Sequence, residues 1–266
     1  MSVKKTVKLI HTIIRLLHLN KPLKLPRSIQ RLSFFMKDYR SLERQLADGL
    51  SPFSIEKFYP CVDERSEQSG VASGHYFHQD LLVASRIFKN NPLRHVDIGS
   101  RIDGFVTHVA SFRKIEVLDI RNLPDDIHNI RFTKGDIMDP RSIRVDYCDS
   151  LSSLHVIEHL GLGRYGDPVD CNGYLTGLRN MHAMLQQGGK FYLSTPIGTQ
   201  RIEFNAHRVF SVSYLVDLLV KDYRIDTFSY VNDEGILVRN AKWDSPEATR
   251  NFSCRYGCGI FEMTKL

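Results

Sequence analysis

The stretch His95-Val-Asp-Ile-Gly-Ser-Arg-Ile-Asp-Gly104 decides the fold of this chain. Residues 94–98 favour a short buried strand that breaks at Gly99, and residues 105–112 favour a helix directly after it. A strand that turns into a helix at a glycine leaves backbone N–H groups free to bind an anion or a carboxylate. The stretch is not the dinucleotide-binding fingerprint G-x-G-x-x-G, because Arg101 occupies the position of its second glycine. An ordinary strand–helix turn has the same pattern, so a ligand site must be argued from the strands that follow.

Strand patterns and helical patterns alternate in the rest of the chain. The sequence predicts, in order, a helix at 74–88, strands at 94–98, 117–120, 130–134 and 150–154, a helix at 174–185 and a strand at 190–194. Such alternation is typical of an α/β fold with a parallel sheet, whose ligands bind at the carboxyl ends of the strands. The last two strands, at 224–231 and 259–264, are separated by a polar loop and are predicted to form an antiparallel pair.

Acidic residues end the second and third predicted strands. Asp119 lies 22 residues after Asp97, and in nucleoside-binding sheets an acid at this place accepts hydrogen bonds from both ribose hydroxyls. The turn Gly135-Asp136-Ile137 offers a second carboxylate at the same edge. The fourth strand runs into His155-Val-Ile-Glu158-His159, which adds two imidazoles and another carboxylate.

The composition is that of an ordinary globular protein. A chain of 266 residues with 42% hydrophobic and 25% charged residues suits one large α/β domain with an extension, or two small domains. The five cysteines (61, 148, 171, 254 and 258) are scattered and predict reduced thiols in the cytoplasm. Cys254 and Cys258 are the one close pair, and no second pair completes a tetrahedral zinc site, so we expect no bound metal.

The net charge of +6 is concentrated at the N-terminus, where residues 1–40 hold ten Lys or Arg and one acidic residue. Residues 3–19 predict a basic amphipathic helix that is too short to span a bilayer and lacks a signal-peptide cleavage site. Its apolar stripe either lies on an anionic membrane surface or packs on the domain or a partner subunit. A second helix is predicted at 28–48, and no motif supports nucleic-acid binding. We assign residues 1–73 to an extension and linker.

The pattern Asp97-x-Gly99, Asp119, Asp136 and His155-x-x-Glu158-His159 resembles the class I S-adenosylmethionine-dependent methyltransferases, as does the Gly188-Gly189 turn before the fifth strand. The resemblance covers residues 74–264, within a domain that we assign to residues 74–266. It implies a Rossmann-like α/β fold with a seven-stranded, mostly parallel sheet and an antiparallel last strand.

Five segments more narrowly resemble a methyltransferase-like family known as a domain of unknown function. They are residues 75–80, 96–105, 161–168, 204–208 and 256–262. The bacterial members of that family often accompany polysaccharide biosynthesis genes. The resemblance therefore implies S-adenosylmethionine as cofactor and a sugar, nucleotide-sugar or glycan precursor as acceptor.

The resemblance also implies a role for each residue at the sheet edge. Asp97 and Gly99, with Ser100, would face the methionine end of the cofactor. Asp119, with Ile120, would bind the ribose. Asp136 and Ile137 would face the adenine, and His155 would border the sulfonium. Arg101 and Asp103 replace glycines of the general motif, and Arg101 could pair with the cofactor carboxylate or fill its pocket.

Methyl transfer to a hydroxyl requires alignment of donor and acceptor and removal of a proton. Histidine suits the role of base, because its unperturbed pKa of about 6.5 lies near neutral pH. His159 and His207 are the candidate bases, with Glu158 orienting one of them, although each could equally be a structural histidine. The candidate acceptor-binding residues lie in the 74–88 helix and in two loops, and are Tyr76, His78, Arg164, Tyr165, Asn205 and Arg208.

Two rival hypotheses come from the same residues. His155-Val-Ile-Glu158-His159 matches the H-x-x-E-H zinc-protease motif, but that motif requires a helix and here it straddles a strand end. A divalent ion bridging Glu158 and His159 is the other metal hypothesis. A non-catalytic binding or scaffold protein that has lost its cofactor is the alternative to an enzyme, and Arg101 would then mark the loss.

Overall fold

The computed structural model describes residues 25–61, 64–123 and 126–266, and the chain divides into two compact units at residues 71 and 72. In the first unit, helix α1 (Leu25–Ala47) packs Phe35 and Tyr39 edge-on against Phe58, with ring centroids 6.3 and 5.1 Å apart. The basic helix predicted at 3–19 lies outside the described residues. Among the described residues, no helix has the length and apolar character needed to cross a bilayer.

The described residues of the second unit form ten strands and five helices, with three short turns of 3-10 or π geometry between them. In chain order these are α2 (His75–Asn90), β1 (His95–Ile98), a π turn (Ile102–Val106), α3 (Thr107–Ala110), β2 (Ile115–Asp119), β3 (Ile130–Lys134), a 3-10 turn (Pro140–Ser142), β4 (Cys148–Leu154), α4 (Gly173–Met184), β5 (Leu185–Ile197), β6 (Arg201–Glu203), β7 (His207–Val209), α5 (Val212–Leu219), β8 (Tyr223–Val231), β9 (Leu237–Val238), α6 (Pro246–Thr249), a 3-10 turn (Asn251–Ser253) and β10 (Gly257–Lys265).

Eight of these strands form one sheet in the order β3-β2-β1-β4-β5-β10-β8-β9. The first five are parallel, whereas β10 runs antiparallel to both β5 and β8, and β9 is antiparallel to β8. The predicted mostly parallel α/β sheet with an antiparallel last strand is confirmed. The predicted number of seven strands is wrong, because the two-residue β9 adds an eighth at the edge.

The sheet is covered on both faces, as parallel sheets require. Successive residues of β5 contact opposite layers: Phe191 packs in the cluster that contains α4 and α5, and Tyr192 packs in the cluster that contains α2 and α3. This alternation follows from the two-residue period of a strand. The strands that carry the predicted site are therefore fixed from both sides.

The helix predicted at 105–112 is shorter than expected. The chain after β1 forms the π turn first, and regular helix begins only at Thr107 and ends at Ala110. Gly104 lies inside the π turn with non-helical φ and ψ of −124° and −106°. A Cβ at Gly104 would lie 2.6 Å from Oδ2 of Asp80, so the close approach of α2 requires glycine there.

Candidate active site

A cavity of about 430 Å³ lies at the carboxyl ends of β1, β2, β3 and β4. Ten of the residues that the sequence nominated for the site line it, and these are Tyr76, Gly99, Arg101, Asp119, Ile120, Asp136, Ile137, His155, His159 and Tyr165. Four strand ends meet there because the strands are parallel neighbours in the sheet. The ligand site predicted at this edge therefore has a physical space.

The turn after β1 depends on the backbone conformation of Gly99 and on hydrogen bonds to the buried Asp97 carboxylate. Gly99 has a φ of +68°, which glycine adopts without strain, and its N–H donates to the Leu118 carbonyl at 2.9 Å. Oδ1 of Asp97 accepts hydrogen bonds from the hydroxyls of Ser100 and Ser152, both at 2.6 Å. Asp97 and Ser100 are buried and do not line the cavity. In the structure these two side chains support the turn, and their contact with the cofactor stays a prediction.

The Asp97 network continues into the sheet as a chain of buried polar groups. The ring nitrogens of His95 lie 2.8 Å from the Ser150 hydroxyl and 3.1 Å from the Ser152 hydroxyl. Burial raises the pKa of Asp97 to about 6, against the hydrogen bonds from Ser100 and Ser152, which lower it. Burial lowers the pKa of His95 to about 3, so this histidine is neutral at pH 7.

Asp119 lines the cavity, but its carboxylate already has a partner that the sequence did not reveal. The Arg121 guanidinium binds the Asp119 carboxylate in a bidentate manner, with Nε donating at 2.9 Å and a terminal nitrogen at 2.5 Å. The Arg121 backbone N–H donates to the same carboxylate at 2.8 Å. The same guanidinium lies 4.9 Å from the centre of the Tyr165 ring. A ribose would have to share Asp119 with Arg121 or displace it.

Arg101 and Asp103 form an ion pair at the mouth of the cavity, and pairing of Arg101 with the cofactor carboxylate stays a prediction. Two guanidinium nitrogens donate to the Asp103 carboxylate at 3.0 and 2.7 Å. The guanidinium lies 5.1 Å from the centre of the Tyr76 ring. Arg101 is half exposed in this arrangement, so it borders the cavity and does not fill it.

The end of the cavity nearest β3 is mostly apolar. Leu118, Phe132, Ile137 and Leu160 form its walls. Asp136 lines it too, with one carboxylate oxygen accepting the Met138 backbone N–H at 2.8 Å. Apolar walls with a few polar groups are typical of small-molecule sites, and they fit a flat aromatic base at this end.

The β4 end of the cavity carries a buried ion pair. His155 directly follows β4 and has a φ of +55°, and its Nδ1 lies 2.6 Å from Oε1 of Glu158. Burial opposes the charge on His155, but Cys258 and Glu158 outweigh it and raise the histidine pKa well above 6.5. Burial likewise opposes the charge on Glu158, and His155 outweighs it and lowers the carboxyl pKa. Glu158 is almost wholly buried beneath the cavity and does not line it.

His159 lines the cavity in a defined tautomer. Its Nδ1 lies 2.7 Å from the Ala206 carbonyl oxygen, which can only accept, so Nδ1 carries the proton and donates. Burial lowers the pKa of His159 below 6.5, against the carboxylate of Glu158, which raises it. The imidazole is therefore neutral at pH 7, with a free lone pair on Nε2.

Five other predicted residues do not line the cavity, and two of them make hydrogen bonds to backbone carbonyls, while their roles in acceptor binding stay predictions. Arg208 is 5% exposed and donates to the Leu160 carbonyl at 2.6 Å and the Cys171 carbonyl at 3.3 Å. This guanidinium ties two loops together and has little contact with solvent. Arg164 is exposed and donates to the Ala206 carbonyl at 2.9 Å, while lying 5.1 Å from the Tyr165 ring. The remaining three are His78, Asn205 and His207.

His207 belongs to a column of rings that the sequence did not predict. Its ring packs against Tyr256 at 5.0 Å, Tyr256 stacks on His75 at 5.4 Å, and His75 stacks on His155 at 5.2 Å. His207 is thus three rings from the cavity wall, with Nε2 lying 3.3 Å from the Glu203 carboxylate. Of the two candidate bases, His159 is the one at the cavity.

The zinc-protease hypothesis does not fit the local structure. His155 directly follows a strand and residues 157–160 form a turn, so the two histidines do not share one helix face. Nε2 of His159 lies 3.9 Å from Oε1 of Glu158, whereas Nδ1 of His155 lies 2.6 Å from the same oxygen. Glu158 therefore binds His155 more closely than His159.

One family model matches part of the chain. It is described as "Caenorhabditis protein of unknown function, DUF268" and matches residues 125–253, slightly less than half of the chain. This range contains His155 and His159 but neither Gly99 nor Asp119. It agrees with the resemblance to a domain of unknown function. No functionally curated protein matches this sequence.

Several solved structures share the fold at low sequence identity. The (4+2)-cyclase SpnF aligns with a TM-score of 0.50 at 12% identity, over 71% of this chain and 80% of that chain. The N1-methyltransferase of 1,6-didemethyltoxoflavin from Burkholderia thailandensis aligns with a TM-score of 0.49 at 15% identity, over 92% and 91%. The N-methyltransferase NodS from Bradyrhizobium japonicum WM9 aligns with a TM-score of 0.48 at 15% identity, over 85% and 97%. At these identities the similarity concerns the Rossmann-like α/β fold alone.

Proposed function

We propose that this chain is an S-adenosylmethionine-dependent methyltransferase that methylates a hydroxyl of a sugar or glycan precursor. The observation that carries the proposal is the order of groups around the cavity. A glycine turn follows β1, an acid ends β2, an apolar pocket with Asp136 follows β3, and histidines follow β4. This order matches the methionine, ribose, adenine and sulfonium positions that the resemblance implies.

The residues present fit such a cofactor in size and chemistry. The cavity volume of about 430 Å³ lies within the range of roughly 300–1,000 Å³ that is usual for small-molecule sites. Asp119 would bind the ribose hydroxyls, and Leu118, Phe132 and Ile137 would hold the adenine. The backbone at Gly99 has space for close approach, and Arg101 at the mouth would meet the carboxylate. Arg121 is the one group that competes, because it occupies Asp119.

The chemistry assigned to the protein is the removal of a proton from the acceptor hydroxyl. When bound, S-adenosylmethionine supplies an electrophilic methyl group. Nε2 of His159 would accept the hydroxyl proton, because the Ala206 carbonyl fixes the proton of the neutral ring on Nδ1. His207 stays a prediction as an alternative base.

The acceptor class is proposed from the side chains beside His159. The Tyr165 ring lies between two guanidinium groups, those of Arg121 and Arg164, at 4.9 and 5.1 Å, and edge-on to the His159 ring at 5.5 Å. Arginine binds phosphate and hydroxyl oxygens well, so this corner suits a phosphorylated or nucleotide-linked sugar. Its place in polysaccharide biosynthesis follows from the family resemblance, and contact of residues 3–19 with a membrane stays a prediction.

We place the activity in the cytoplasm. All five cysteines are free of disulfide bonds, as is usual for proteins of reducing compartments.

Calorimetric titration with S-adenosylmethionine and S-adenosylhomocysteine tests the proposal. We expect saturable binding near micromolar affinity, about −8 kcal/mol. Asp119→Ala should weaken binding by more than about tenfold, or about 1.4 kcal/mol. Asp139→Ala is the matched control, since Asp139 binds Arg141 two residues later in the same forked manner but lies outside the cavity lining. Equal affinity of the wild type and Asp119→Ala would overturn the ribose assignment.

The alternative function is that of a non-catalytic binding or scaffold protein. The pairing of Asp119 with Arg121 favours it, because the acid that a ribose requires is neutralised within the chain itself. A folded sample that binds neither S-adenosylmethionine nor S-adenosylhomocysteine would make this alternative the better proposal. Restored binding in Arg121→Ala would then identify Arg121 as the cause.

A further inference from the structure

Three potential metal ligands meet beside the cavity, and no step of the proposed reaction uses them together. They are His75 at the start of α2, His155 at the end of β4 and Cys258 at the start of β10. One ligand atom from each lies within 4.8 Å of the other two. Cys258 is fully buried and His155 is 9% exposed. The sequence predicted no metal site, because these residues are far apart along the chain.

His155 presents one free ring nitrogen to this cluster. Its Nδ1 is taken by Glu158 at 2.6 Å, and its Nε2 is buried with no hydrogen-bond partner among the residues that the structure describes. A carboxylate bound to one imidazole nitrogen is the usual arrangement behind a metal-bound histidine, because it fixes the ring and makes the other nitrogen a better ligand. The unpaired nitrogen is therefore accounted for if it binds a cation.

His75 has a related arrangement on the other side of the cluster. It makes a hydrogen bond with the Tyr256 backbone, and its ring is parallel to that of His155 within 6°. One nitrogen of His75 is thereby engaged by the protein and the other is left to face a ligand. The two rings and the thiol come from three separate elements, so the surrounding sheet and helix fix their spacing.

The charges around the cluster also favour a divalent cation. Deprotonated Cys258 and Glu158 each carry one negative charge, and two neutral imidazoles carry none, so a divalent ion makes the group neutral. With no cation bound, Nε2 of His155 faces the Cys258 thiol without a hydrogen bond of good geometry. The thiol proton, which Cys258 directs to Oε1 of Gln79 at 3.6 Å, would be released when the ion binds.

We propose that His75, His155 and Cys258 bind a Zn²⁺ ion. Two imidazoles and one thiolate are a donor set that zinc favours, and three protein ligands leave one tetrahedral position open for water or another group. Tetrahedral ligand atoms lie roughly 3.3–3.8 Å apart, so the side chains move together by about one ångström on binding. The stacked imidazoles of His75 and His155 also rotate out of parallel, because a ring nitrogen binds a metal in the plane of its ring. Because His155 also lines the cavity, the ion borders the space in which the acceptor is proposed to bind. The site does not depend on the proposed methyltransferase function.

Cobalt substitution tests the site directly. The full-length protein is stripped of metal with a chelator and titrated with Co²⁺, whose thiolate complexes give a charge-transfer absorption and, in tetrahedral geometry, intense visible bands. Zn²⁺ is then added to displace the cobalt. We expect one Co²⁺ per chain with both spectral features, and complete bleaching by one equivalent of Zn²⁺.

Matched variants assign the ligands. Cys258→Ser should abolish the charge-transfer band and weaken Zn²⁺ binding by at least about a hundredfold, since direct ligands exceed the tenfold to hundredfold effect of outer-shell groups. Cys254→Ser is the control, because Cys254 is a buried cysteine four residues away that is not in the cluster. His75→Gln, at a half-buried residue, tests the site where Cys258→Ser does not fold. A folded wild type without the charge-transfer band, or a band that persists in both Cys258→Ser and His75→Gln, would overturn the proposal.

Discussion

Both ends of the cavity carry ion pairs, but the pairs at the two ends differ in how far their cationic side chains are exposed to solvent. At the β1 and β2 end, Arg121 pairs with Asp119 and Arg101 pairs with Asp103, and both guanidinium groups are about half exposed. At the β4 end, the side chains of His155 and Glu158 are almost fully buried. Exposed arginines can exchange partners at little cost, because water replaces the lost contact. The partners of a buried pair cannot be replaced by water in this way.

The difference indicates which end changes when a ligand binds. The Arg101–Asp103 pair is exposed at both partners and is worth about 0.2–1 kcal/mol. In the second pair Asp119 is buried but Arg121 is half exposed, so a ligand with its own hydroxyl groups can take the place of that arginine. Separating a buried pair costs about 3–5 kcal/mol, so the β4 end keeps its geometry. The first end is thus suited to recognition, and the second to holding groups in a fixed orientation for chemistry.

The largest expected effect is on the buried pair. Glu158→Gln keeps the shape of the side chain but removes the counter-charge of His155, and we expect a loss of about 3 kcal/mol in the free energy of unfolding. Urea denaturation in the presence of a chelator measures it without metal. Asp103→Asn is the exposed counterpart and should change the stability by less than about 0.5 kcal/mol. Similar losses in the two variants would remove the contrast between the two ends.

The same pair predicts a dependence on pH. The raised pKa of His155 contributes stability that is complete below 6.5, its value in the unfolded chain, and is lost as the pH rises through the folded-state value. The lowered pKa of Glu158 contributes stability above 4.5 that is lost as the pH falls. The difference between wild type and Glu158→Gln should therefore be greatest between pH 4.5 and 6.5. A difference that grows in alkali would contradict this assignment.

A smaller effect is expected at the exposed end. Arg121→Ala frees the Asp119 carboxylate for a ribose, and we expect about threefold tighter binding of S-adenosylhomocysteine, since the competing arginine is half exposed although Asp119 itself is buried. Calorimetry measures the change. Arg141→Ala repeats the substitution at the equivalent Asp139 pair outside the cavity and should leave affinity unaltered. Weaker binding by Arg121→Ala would mean that this arginine contacts the ligand and does not compete with it.

The fold was predictable because alternating strands and helices determine its class. The strand boundaries at 130–134 and the antiparallel end of the sheet follow from local patterns, and both are present in the structure. The helix after β1 was not predictable in length, because the π turn at Ile102–Val106 and the close approach of Asp80 in α2 to Gly104 give no periodic signal in the sequence. The eighth strand was missed because two residues, Leu237 and Val238, give no periodic signal.

The site was predictable where a residue ends a strand, and poorly predictable elsewhere. Asp119 and Asp136 line the cavity because parallel strand ends meet at one edge. Asp97 also lies in a strand, but its side chain points away from the cavity into a serine network. The bidentate contact of Arg121 with Asp119 could have been suspected, because the sequence Asp-x-Arg occurs at residues 119–121 and again at residues 139–141 and forms the same contact in both places. The cluster of Cys258 with His75 and His155 could not have been suspected, because its three members lie far apart along the chain.

The smallest effect tests whether the fixed end is prepared for proton transfer. Burial lowers the pKa of His159, and Arg164, whose guanidinium lies 3.5 Å from Nδ1, lowers it further. In nuclear magnetic resonance of labelled histidines, assigned with His159→Asn, we expect the His159 ring to titrate below pH 6.5. Arg164→Ala should raise that midpoint, because a nearby positive charge is removed. A midpoint above 6.5 in the wild type would leave His159 protonated at neutral pH, and a protonated ring cannot take the proton of a hydroxyl acceptor. The β4 end would then hold its geometry for binding alone, and the distinction between a recognition end and a chemical end would fail.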